Sequence, residues 1–213
     1  SMGAWSKESV SHVSSMQHGD FYASEKSLCT KEATRVNIEH VNAQGELTVL
    51  KENLALQADE IIDTAFISAS AMQEFIHAQI ADVRTKWVLI SVHQKSTMMK
   101  VSDPSIVGHF VKAFFKPVFK KYSDTLAELG VNPNNGMAVL IEAISTLDAD
   151  LQASIEADIQ TCYDNGPDLA MVNSSKGITN LHVPNDVIID ASMPAMIRTS
   201  GQMWNKDDKS QDT

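Results

Sequence analysis

The stretch WVLISVHQKSTMMKVSDP, residues 87–104, joins two patterns that decide the fold class. Its first half belongs to KWVLISVH, a short and nearly continuous apolar run of the kind that forms a strand buried on both faces. Its end, Asp103-Pro104, reads as a helix start. Asp103 is placed to cap, and Pro104 falls at the first helical position, where proline loses no useful donor. The helix that follows carries an apolar stripe of Val107, Phe110, Val111, Phe114, Val118 and Tyr122, widened by Phe115 and Phe119. Pro117 lies inside that stripe and predicts a kink or break, and Gly130 predicts the stop.

Working outward, TRVNIEHVNAQGELTVLKENLAL predicts a hairpin. Val36, Ile38 and Val41 alternate with polar residues, NAQG turns the chain, and Leu47 and Val49 resume the alternation. DEIIDTAFIS predicts a further strand. SASAMQEFIHAQIADVRTK predicts a helix, with Ser70 and Gln73 spaced as a capping box and Phe75, Ile76, Ile80 and Val83 on one face. Residues 136–148 and 148–165 predict two shorter helices, DLAMVN a strand, and SSKGITNLHVP a loop. NDVIIDASMPAMIRTSG predicts a helix, or a strand bending into one, because Pro194 argues against one regular helix. The expected class is α/β, with α+β as its neighbour: a mixed β-sheet flanked by helices. The expected organisation is an irregular segment over residues 1–34, a single α/β domain over 35–205 and a polar tail over 206–213.

Composition excludes some functions. The net charge is −10, which argues against nucleic acid, where a basic patch supplies most of the affinity. No apolar run approaches the ~18 residues of a membrane span, and no signal peptide is visible. Cys29 and Cys162 stand far apart with no CxxC or zinc spacing, as two reduced thiols of a cytoplasmic protein would. The opening Ser1-Met2 has the look of a remnant on a cut piece of a longer chain.

Lys95 stands just past the apolar strand, between His93 and the helix start. Binding groups collect at strand ends in such sheets, and a partly desolvated lysine there suits acid/base work. The bland alternative is a solvated loop lysine, and Lys100 reads the same way. Asp190 ends the apolar run VIID, where a carboxylate must be paired, protonated or on a metal. Magnesium takes one or two carboxylates plus substrate oxygens and water, so one Asp is a weak site alone. Arg198 reads as a pairing partner for an acid. NSSKGITN is polar, but it matches neither a P-loop nor GxGxxG, and a surface turn is the simpler reading.

Three stretches go beyond spacing. MGAWS, HQKSTMMKVSDP and NGPDLAMVNSSKGITNLHVPNDVIIDASMPAMIRTSGQMWNKDD resemble the monomeric type of bacterial NADP-dependent isocitrate dehydrogenase, and the likeness runs through essentially all 213 residues. VHQKSTMMK also looks like a stretch of the wider β-decarboxylating dehydrogenases. The resemblance implies an internal piece of the large domain of a much longer enzyme. That enzyme oxidises isocitrate to 2-oxoglutarate and carbon dioxide with NADP and magnesium or manganese. The family's catalytic lysine falls on Lys95, and the first of its three metal-binding aspartates falls on Asp190. The substrate-gripping residues, the other two aspartates, the catalytic tyrosine and the main NADP-binding residues fall outside this chain. The resemblance thus implies an inactive piece, whose partners are isocitrate, NADP and the rest of its parent. It implies a fold like the smaller domain of the dimeric enzymes with added helices. Apolar surface left bare in such a piece leads to the further expectation of a fragment dimer. The rival reading is a non-enzymatic binding or scaffold module that keeps the domain's shape.

Overall fold

The computed structural model describes residues 4–93, 98–182 and 192–213. Helices and strands are mixed, as the class expectation holds. The chain divides into two compact units, one over residues 16–68 and one combining the N-terminal 15 residues with 69–213. The division falls inside the expected single domain, at the start of a helix.

The smaller unit holds α1 (Phe21–Ser24), β1 (Lys26–Cys29), β2 (Thr34–Val41), β3 (Leu47–Leu56) and β4 (Ile61–Thr64). Three of these elements, α1, β1 and β2, thus begin inside the segment expected to be irregular. β2 and β3 form the hairpin expected from the alternation. Its turn is set by Asn42, whose Oδ1 accepts the amides of Gln44 and Glu46 at 3.0 and 2.9 Å, and by Gly45 at φ 83°. β1 pairs antiparallel with β4. The buried side chains of this unit are Thr30 and Leu56. Thr30 ties the chain to the 57–60 turn, its Oγ1 donating to Gln57 O at 2.6 Å and its amide to Glu60 O at 2.9 Å.

In the larger unit, α2 (Ala69–Lys86) buries Met72, Ile76 and Val83, close to the expected face. Ser70 lies one residue inside the helix, and the Gln73 side-chain amide meets His109 Nδ1 at 3.2 Å. α3 (Ser102–Phe114), α4 (Lys116–Lys121) and α5 (Ser123–Glu128) follow. Pro117 breaks the run as expected, at the start of α4. Asp103 is a first-turn residue and not the cap. Its amide already donates to Met99 O at 3.2 Å, because the turn over residues 98–101 runs directly into the helix. Val107, Phe110, Val111, Phe114, Phe115, Val118 and Tyr122 are all buried, so the stripe is the core.

α6 (Met137–Ile144) and α7 (Ala149–Asn165) close over that stripe. Asp148 caps α7, accepting from Leu151 N at 3.0 Å. Tyr163 of α7 stands edge-on to Phe115, with ring centroids 5.2 Å apart, and Phe114 lies 4.9 Å from Phe115. Tyr122 Oη and Lys121 Nζ both reach Asp158 of α7 at 2.7 Å.

The remaining elements are β5 (Met171–Asn173), β6 (Ile178–Thr179), α8 (Ser192–Arg198), β7 (Gln202–Trp204) and β8 (Ser210–Asp212). The strands pair as two-stranded antiparallel ladders, β5 with β6 and β7 with β8. The mixed character comes from Val88–Ile90, which is buried throughout. Ile90 makes a parallel bridge to Leu169, with Ile90 N donating to Asp168 O at 2.8 Å and Ala170 N to Ile90 O at 2.9 Å. On the other side Leu89 N donates to Asp212 O at 2.8 Å. The apolar run is therefore the central connection between two ladders. The expected polar tail ends as β8, and Thr213 is buried, its Oγ1 donating to Leu89 O at 3.2 Å. Strand pairing outweighs a charged composition there. Among the described residues no helix is long and apolar enough to cross a membrane.

Candidate active site

The central run ends in Ser91, Val92 and His93, all half-buried. A second segment reaches the same place from β6. Asn180 follows Thr179, and its amide N donates to Ala170 O at 3.0 Å. Its side-chain Nδ2 then donates to Ser91 Oγ at 3.0 Å and to Val92 O at 3.2 Å. Ser91 Oγ in turn lies 2.9 Å from His93 Nε2. A carbonyl can only accept, so Val92 O fixes which way the Asn180 amide points. Ser91 Oγ accepts from Asn180 and is hydrogen-bonded to His93 Nε2. Burial pushes the His93 pKa down, which favours the neutral ring.

The segment after Asn180 is anchored with equal care. Leu181 is fully buried, and Leu181 O and His182 O accept the amides of Met137 and Ala138 at 2.9 Å each. The α6 N-terminus thus spends two free donors on this strand exit. Gly136 makes the approach possible. It sits at φ 80°, and a Cβ there would lie 2.5 Å from His182 O. His182 is buried, its Nδ1 accepting from Thr179 N at 2.9 Å, and burial pushes its pKa down.

Lys95 and Asp190 both lie outside the described residues. What the structure positions is the last described residue before each: His93, two residues before Lys95, and His182, eight before Asp190. Lys100 is exposed ahead of α3, and Arg198 is exposed in the last turn of α8. NSSKGITN forms a turn of 3-10 helix in which Asn173 Oδ1 accepts from Lys176 N at 3.2 Å and Gly177 takes φ 67°. Ser91 was not singled out by sequence, and Asn180 entered only as the last residue of the polar NSSKGITN stretch. Neither belongs to a spacing motif, and only the polarity of each beside apolar neighbours marks it. Among the described residues no cluster of three or more His, Cys, Asp or Glu could hold a metal ion, so these residues do not by themselves fit a metal centre.

The expected strand reduces to a buried extended run, Val88–Ile90, with one parallel bridge at Ile90, and it lies between ladders with a polar node at its end, in a unit of mixed helices and strands. The family model for monomeric isocitrate dehydrogenase matches residues 1–213, and the chain belongs to that family. It is 53% identical over 213 residues to isocitrate dehydrogenase (NADP) 2 of Colwellia maris, covering 100% of this chain and 29% of that protein. It is 52% identical over 212 residues to the isocitrate dehydrogenase (NADP) of Azotobacter vinelandii, again over 29% of that protein's length. Against isocitrate dehydrogenase (NADP) 2 of Mycobacterium tuberculosis the identity is 45% over 213 residues. The chain thus spans about 29% of the length of the curated relatives it matches.

Proposed function

We propose that this chain is part of the catalytic region of an NADP-dependent isocitrate dehydrogenase. The single observation that carries the reading is the family match along the whole chain, which includes the Lys95 motif just past the buried strand. In the parent reaction the C2 hydride of isocitrate passes to NADP+, giving NADPH, and the hydroxyl proton leaves the same centre. Loss of carbon dioxide then leaves an enolate, which takes up a proton to give 2-oxoglutarate. Lys95 is assigned the transfer of the hydroxyl proton on the resemblance of VHQKSTMMK to the family's catalytic stretch; a lysine serves such a step where desolvation lets it change protonation readily. Asp190 is assigned one carboxylate of a divalent-metal site, with the other ligands supplied by the rest of the parent. Such a metal, magnesium or manganese, supplies polarisation of the hydroxyl and carbonyl oxygens when bound.

The test is Lys95→Met in the full parent chain, followed by NADPH formation. Loss of a positioned proton-transfer group is expected to lower kcat by about 10²–10⁴-fold. Turnover within a few-fold of the parent would remove Lys95 from the chemistry. The 213-residue chain alone is expected to give no measurable NADPH from isocitrate, and a parent-like rate from it would refute the proposed division of the site.

A further inference from the structure

We infer that Asn180 is a positioning residue for the lysine-bearing strand exit, an inference that rests on the dehydrogenase reading above. Three observations carry it. Both amide protons of Asn180 Nδ2 are spent on the exit, one on Ser91 Oγ at 3.0 Å and one on Val92 O at 3.2 Å. The backbone of Asn180 is itself held, through Ala170 O, to the strand that pairs with Ile90, so the side chain reaches from a fixed frame. Its Oδ1 is buried and accepts no hydrogen bond among the described residues. A buried acceptor without a partner is costly, and such groups are kept where geometry or function demands them.

The arrangement has a consequence for both branches of the proposed site. Ser91 and Asn180 stand 89 residues apart in sequence. One leads within four residues to Lys95, and the other opens the segment that runs on to Asp190. A single carboxamide therefore ties together the starting points of the two segments to which proton transfer and metal binding are assigned. It acts through Ser91 and Val92 and not on the reacting atoms themselves. Reaction rates are steep in position, since displacements of about 1 Å cost on the order of 10²-fold.

The experiment uses Asn180→Ala and Asn180→Asp in the full parent chain. Asn180→Asp keeps the oxygen and replaces the donor, setting a carboxylate against Val92 O. Both variants are expected to lower kcat by about 10- to 100-fold, to leave the KM for NADP within two-fold, and to move the pH profile of kcat. Asp148→Ala, which removes the cap of α7, serves as the structural control, lowering the melting temperature with the pH profile unmoved. Parent-like kcat with an unmoved profile in both Asn180 variants overturns the inference, as does a profile that moves equally in Asp148→Ala. Failure of the dehydrogenase reading is separable: a wild-type parent that makes no NADPH from isocitrate sinks that reading. The clamp is then judged by hydrogen exchange in the 213-residue chain. Asn180→Ala is expected to speed exchange at the hydrogen-bonded amides of Leu89 and Ile90, just before the clamp, at least ten-fold relative to α7, and unchanged exchange there refutes it.

Discussion

His182 shows how one residue couples the site to stability. Its Nδ1 accepts the Thr179 amide in a buried setting, so the neutral ring is the one the fold uses, and burial holds its pKa below the usual histidine range. His93 is shifted in the same direction for the same reason. Lowered histidine pKa values mean that the unfolded chain binds more protons as pH falls. The contribution is therefore fully present above about pH 6.5 and is lost as pH drops from there through the folded values. Thermal midpoints are expected to fall between about pH 7.5 and about pH 5, and to fall less in His182→Asn, which keeps an acceptor and cannot titrate. Equal slopes in the two proteins would show that His182 is not a source of the loss. Tyr163 is a second case. Burial raises its pKa to about 12, so it stays a neutral aromatic wall against Phe115 across the working range. Phe115 is fully buried in that cluster, and Phe115→Ala is expected to cost about 3–5 kcal/mol in denaturant unfolding.

At the scale of elements, close approach is what holds the site's frame. Gly108 of α3 lets the helix lie against the 133–135 turn, and a Cβ at that position would meet Asn134 Oδ1 at 1.9 Å. That turn leads directly into α6, whose N-terminus holds the carbonyls of Leu181 and His182. Gly108→Ala should therefore cost about 1–3 kcal/mol through overpacking, read as a lower denaturation midpoint. A midpoint unchanged from wild type would mean that the Asn134 side chain simply turns away. The break between α3 and α4 follows the same logic in reverse. The apolar stripe continues from Phe114 through Phe115 to Val118 across Pro117, so packing preserves the face while the backbone ladder is interrupted.

Over the whole molecule the two compact units differ in how much core they own. The larger unit buries nearly all the large apolar side chains of its stripe. The smaller unit, residues 16–68, buries Thr30 and Leu56 and leaves Tyr22 at 89%, Ile61 at 73% and Leu50 at 65% exposure. Two-stranded ribbons without a covered face are marginal in water. Limited trypsin digestion is expected to cut first at Lys26, Lys31, Arg35 or Lys51, before Lys112, Lys120 or Lys121. Early cutting in α3 or α4 would reverse that ranking of stability.

Local periodicity was enough to read much of this protein. The Phe110 to Tyr122 stripe, the break at Pro117, the NAQG turn and the buried run at Val88–Ile90 were all legible, because each depends on residues within a turn or two of chain. Long shared stretches, HQKSTMMKVSDP among them, placed the chain in its family. Tertiary structure decided what depends on distant partners. Asp103 lost its capping role to a preceding turn, and the Gln73 side-chain amide meets His109. The charged C-terminal stretch became β8 by pairing with β7, and its Asp212 O accepts from Leu89 N. Asn180 and Ser91 carry no spacing signal, since a hydrogen bond across 89 residues leaves no local pattern in either stretch.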